Sequence, residues 1–82
     1  MKKIILDFKI LNTKELLFSF LKTKIDGLYS SNYDALIDAL TFYKNDLTIQ
    51  LINTDDYENK KELIEVLEIV KTENKMIKII NK

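Results

Sequence analysis

The 82-residue sequence has no cysteine, no histidine, no arginine and no proline, and its one glycine is Gly27. Without cysteine there are no disulfides, no thiolate nucleophile and no cysteine-held zinc. Without histidine the usual general base and the commonest metal ligand are gone. Any catalysis would rest on Asp, Glu, Lys, Tyr and hydroxyls, and no nucleophile, acid–base pair or phosphate-cradling loop is recognisable, so an enzyme is not expected. Without arginine, bidentate reading of bases and phosphates is lost, which argues against a nucleic-acid partner. The near-absence of glycine and proline excludes loop-rich and collagen-like designs. No apolar run approaches the ~20 residues a membrane-spanning helix requires. The opening Met1-Lys2-Lys3-Ile4-Ile5-Leu6 superficially suggests a signal peptide, but Asp7 and Lys9 break it and no small-residue cleavage site follows, so a cytoplasmic protein is expected.

What is present is the profile of one folded domain, 1–82: 46% hydrophobic and 32% charged, enough for one modest core and not for two. The net charge of zero conceals an uneven distribution. Residues 1–25 carry six lysines against two acids, residues 26–43 carry Asp26, Asp34 and Asp38 with no base, and residues 44–82 carry seven lysines against eight acids. The early lysines are scattered and lack interleaved aromatics, which reads as a solubilising surface.

Residues 3–10 alternate as a half-buried strand. Asn12 with Glu15 forms a capping box that opens a helix to about Lys22, its apolar face made of Leu16, Leu17, Phe20 and Leu21. After a connection through Gly27, a second helix runs over about 32–43. Residues 47–52 alternate again, a third helix covers about 58–73 with Leu63, Val66, Leu67 and Val70 as its stripe and Asn74 as C-cap, and residues 76–80 close as a third strand. The order β-α-α-β-α-β implies crossover connections and a small three-stranded parallel sheet packed with three helices.

The second helix carries the most information. Tyr33, Leu36, Ile37 and Leu40 follow i, i+3, i+4, i+7 and mark a buried side. Asp34 and Asp38 lie ~40° apart around the axis and leave together from the other side. Ser31 or Asn32 can cap the helix; with Ser31, Asp34 completes a capping-box variant and suits the helix dipole. Asp38 is too deep to gain from either. Two acids at i and i+4 repel slightly, and no base lies within a turn of them, so an external cation is implied. Two carboxylates alone make a weak magnesium site, and Asp55, Asp56 and Glu58 lack the spacing and glycine of a calcium loop; neither metal nor cofactor is expected. Glu62, Glu65, Glu68 and Glu73 read as the solvated face of the third helix.

The run Asn32-Tyr33-Asp34-Ala35-Leu36-Ile37-Asp38-Ala39-Leu40-Thr41, the aromatic Tyr29 before it and the order of elements resemble the barstar family of intracellular inhibitors of a secreted bacterial ribonuclease. The matching positions of the family's Asn-x-Asp-Ala-Leu-x-Asp-x-Leu pattern are Asn32, Asp34, Ala35, Leu36, Asp38 and Leu40. The resemblance implies that Asp38 is the central anchor and Asp34 its neighbour, standing where RNA phosphates would lie in a cationic active site. Carboxylates on a rigid helix can occupy such positions without offering a cleavable bond, and opposed potentials speed the encounter. It further implies Tyr29, Ser30, Asn32, Ala35, Ile37, Thr41 and Tyr43 as partner-binding neighbours, a basic ribonuclease as partner, and a monomeric free state. The sequence departs from the family at Ser30 (a loop glycine), Leu28 (an aromatic that touches the enzyme), Ile37 (usually tryptophan) and Ile69 (where a further acid is expected, with Glu65, Glu68 or Glu73 nearby). An interaction module of the same fold with a non-nuclease partner is the alternative.

Overall fold

The computed structural model describes residues 2–81. The elements run β1 (Lys2–Asp7), α1 (Lys14–Lys24), α2 (Tyr33–Thr41), β2 (Leu47–Ile52), a short 3-10 turn (Thr54–Asp56), α3 (Lys60–Glu73) and β3 (Ile77–Asn81). This is the expected α/β fold: a three-stranded, wholly parallel sheet in the order β1-β2-β3 with three helices.

Alternation decides which side of the sheet is buried. Ile4 and Leu6 on β1, Leu47, Ile49 and Leu51 on β2, and Ile77 on β3 share the face that meets the helices, with Ile4 in register with Ile49 and Ile79. The opposite face carries the exposed Lys3, Ile5, Lys78 and Ile80 on the outer strands, with the buried Thr48 and the half-buried Gln50 between them on β2. The helices contribute Leu17, Phe18 and Leu21, then Leu36 and Leu40, then Leu63, Val66, Leu67 and Val70 to one core.

β1 ends three residues earlier than the alternation predicts. The Asp7 carbonyl accepts the N–H groups of both Ile10 and Leu11, and its carboxylate accepts that of Lys9, so the chain turns at 8–10. Phe8 stays fully buried while Ile10 points to solvent. On α1 the cap is Thr13, not Asn12: Thr13 Oγ1 accepts from Leu16 N at 3.2 Å, and the Asn12 carbonyl instead accepts from Glu58 N. The capping acid comes from far along the chain, because Glu58 Oε2 accepts from Lys14 N at 2.8 Å. The buried face of α1 is also rotated from the expected one, with Phe18 in the core and Leu16 exposed.

Candidate functional site

α2 is nine residues long, too short to persist alone in water, so its direction must come from what holds its two ends. At the N-terminus, Asn32 is the cap: its Oδ1 accepts from Ala35 N at 2.7 Å. Ser31 is not the cap; its hydroxyl accepts from Lys22 Nζ at 2.7 Å. Asp34 therefore sits second in the helix, where the dipole favours an acid by roughly 0.3–1 kcal/mol. The first residue, Tyr33, is buried against Phe18 with ring centroids 5.6 Å apart in an edge-on arrangement. Its hydroxyl meets that of Tyr57 at 2.7 Å, and Lys14 Nζ lies 4.9 Å above its ring. Burial, and then the bond to Tyr33, hold the Tyr57 hydroxyl well above the ordinary tyrosine range.

The C-terminal end has no basic residue in its last turn to satisfy its carbonyls. Asn74, buried at the end of α3, does this instead. Its Nδ2 donates to the carbonyls of Leu40 (2.9 Å), Thr41 (3.2 Å) and Tyr43 (2.9 Å), and its Oδ1 accepts from Met76 N at 3.0 Å. One side chain thus ties α2, α3 and the start of β3 together. Between these two anchors Leu36 and Leu40 are buried, each contributing about 2 kcal/mol. That far exceeds the few tenths of a kcal/mol of repulsion between Asp34 and Asp38.

On this fixed helix Asp34 and Asp38 are both exposed. Among the described residues neither carboxylate forms an ion pair or hydrogen bond; the ion pairs present join Lys60 to Asp55 and Lys71 to Glu68. On α1, Lys14 sits over the Tyr33 ring and Lys22 donates to the Ser31 hydroxyl. The result is a local concentration of negative charge that the described part of the chain does not neutralise.

The other residues marked in the sequence divide into two groups. Tyr29, Ser30 and Asn32 are exposed, Tyr29 by 85%. Ala35, Ile37, Thr41 and Tyr43 are half-buried; Ala35, Ile37 and Tyr43 lean on the core, and the Thr41 hydroxyl is inaccessible with no hydrogen-bond partner. Ser30 is not in the left-handed conformation, which among the described residues belongs only to Gly27 and Asn53. Leu28 points into the core, so this position offers nothing outward. Ile69 is 47% exposed on α3 beside Glu68, Thr72 and Glu73. Among the described residues no cluster of three or more acids capable of holding a metal ion occurs, and no helix is long and apolar enough to cross a membrane.

One residue of this region, Phe42, was not singled out by sequence, and Asn74 was read there only as the C-cap of the third helix. Phe42 caps the C-terminus of α2 and is 74% exposed. Its spacing of four from Asp38 was readable, whereas the role of Asn74 toward α2 depends on a contact over more than thirty residues and leaves no local trace. Neither protein-family models nor curated proteins give a significant match to this chain.

Proposed function

We propose that this chain is a barstar-type inhibitor that plugs the active site of a basic ribonuclease with α2 and the loop before it. The observation that carries the reading is the pair of exposed carboxylates, Asp34 and Asp38, with no cationic partner among the described residues, on a helix pinned at both ends. A nuclease must hold a polyanion, so its cleft concentrates cations; carboxylates fixed in place enter it without the entropic cost of ordering a flexible segment. Asp38 is the central contact and Asp34 supports it, with Tyr29 flanking. The inhibitor works in the cytoplasm as an immunity protein or antitoxin of a bacterial cell, is monomeric when free, uses no cofactor and performs no catalysis. Immobilised protein incubated with extract of the source cells should retain a ribonuclease whose RNA cleavage it abolishes. Co-expression should then rescue growth of a host producing that nuclease. Cleavage that continues at several-fold excess of this protein contradicts the proposal.

The buried Leu28 and the Ser30 backbone give the loop a surface unlike that expected of the family, which favours a second reading: the same helix docks on a cationic partner that is not a nuclease. That reading predicts a captured partner without RNA-cleaving activity, still lost with Asp38→Ala.

A further inference from the structure

We infer that Phe42 is an aromatic anchor of the docking face, stacking on a cationic side chain at the rim of the site that receives Asp34 and Asp38. The inference rests on the reading of α2 as the face for a cationic partner, whether or not that partner is a ribonuclease. A single exposed hydrophobic residue is ordinary on a protein surface. Three features set this one apart.

The first is alignment. Asp34, Asp38 and Phe42 follow at intervals of four, so they rise along one side of the helix in steps of about 6 Å. Phe42 keeps near-helical backbone angles (φ −95°, ψ 8°), and its N–H donates to the Asp38 carbonyl at 3.2 Å. Side chains on a helix lean toward its N-terminus, which for Phe42 is the direction of the turn that carries Asp38.

The second is rigidity. The carbonyls on both sides of Phe42, those of Thr41 and Tyr43, are held by the buried Asn74 amide. The backbone is fixed while the side chain is 74% exposed. With the backbone already fixed, binding has only the two side-chain torsions of Phe42 to order, which suits an interface anchor.

The third is chemistry. Two uncompensated carboxylates select a partner rich in Lys or Arg, and an aromatic face next to them attracts the same groups through its ring quadrupole. Among the described residues the Phe42 ring meets neither another ring nor a lysine of its own chain, unlike Tyr33 and Phe20. Its face is available.

The test uses NMR titration of the isotope-labelled full chain with an oligo-arginine peptide at low ionic strength, alongside inhibition assays against purified ribonucleases of high isoelectric point. Resonances of Asp34, Asp38 and Phe42 should shift with one common dissociation constant. Phe42→Trp should bind at least as tightly, and Phe42→Leu roughly two- to five-fold more weakly at unchanged circular dichroism. Asp34→Asn with Asp38→Asn should abolish binding. Phe42 signals that stay put, or a leucine variant that binds as well as the parent, would overturn the inference. If the peptide results hold while no ribonuclease is inhibited, the anchor stands and the nuclease reading falls.

Discussion

Tyr33 shows how much of the site's geometry is carried by one side chain. Its ring packs edge-on against Phe18, its hydroxyl pairs with that of Tyr57, and Lys14 covers its open face. Deleting either hydroxyl leaves the other buried without a partner. Tyr33→Phe and Tyr57→Phe should therefore each cost about 1–2 kcal/mol, whereas the double replacement should cost clearly less than their sum. Urea unfolding of the three variants measures this; strict additivity would mean the hydroxyls do not depend on each other. The neighbouring aspartates differ in kind. Asp34 gains from the helix dipole, whereas Asp38 lies deeper in the helix and has no ion-pair or hydrogen-bond partner among the described residues; under the proposed function its partner is the cationic site on which α2 docks.

At the scale of elements, Asn74 joins three of them. Asn74→Ala strips donors from three carbonyls near the end of α2 and an acceptor from Met76 N. The expected loss is at least ~2 kcal/mol, with hydrogen-exchange protection falling first in α2. Equal protection in α2 before and after the change would show that apolar packing alone seats the helix. The sequence disclosed Asn74 only as the end of α3, because a cap is a local pattern and a side chain reaching another helix is not. The same limit explains α1. Its existence was legible from periodicity, yet its cap is Thr13 because the Asn12 carbonyl is taken by Glu58 N, and Glu58, forty-four residues from Lys14, accepts the Lys14 N–H. Its buried face rotated from Leu16 to Phe18 because Phe18 packs on Tyr33, a choice made by tertiary contact. β2, β3 and the apolar stripes of α2 and α3 needed no such information, whereas the turn that cuts β1 short at Asp7 did. Their patterns repeat over enough positions to settle which side is buried, and with α2 that side also leaves Asp34 and Asp38 facing out.

For the whole molecule, a net charge of zero coexists with two exposed carboxylates on one helix that have no ion-pair partner among the described residues. Binding through that helix should weaken as salt rises, since exposed charges are screened beyond about 10 Å at 0.1 M. Stability should be bounded on both sides of neutral pH. A hydrogen bond from Asn53, then one from Lys9 N–H, holds the Asp7 carboxyl below its usual range, and Lys60 does the same for Asp55. Their contribution is complete above the unfolded-state value of about 4 and is lost as pH falls through the lower folded-state values. Tyr57 is raised, mainly by burial, so its contribution is complete below about 10 and declines as pH climbs beyond that. Thermal melts across pH should show a plateau with an acid and an alkaline shoulder; an alkaline shoulder that survives Tyr57→Phe unchanged would refute the assignment. The most direct test of the account is an RNA-cleavage titration of the captured ribonuclease with the parent chain and with Asp38→Ala. The parent should abolish cleavage at about one equivalent, and the variant, equally stable, should bind more weakly by at least ~2 kcal/mol. Equal inhibition by both would contradict the claim that the outward carboxylate of α2 fills the enzyme's cationic site.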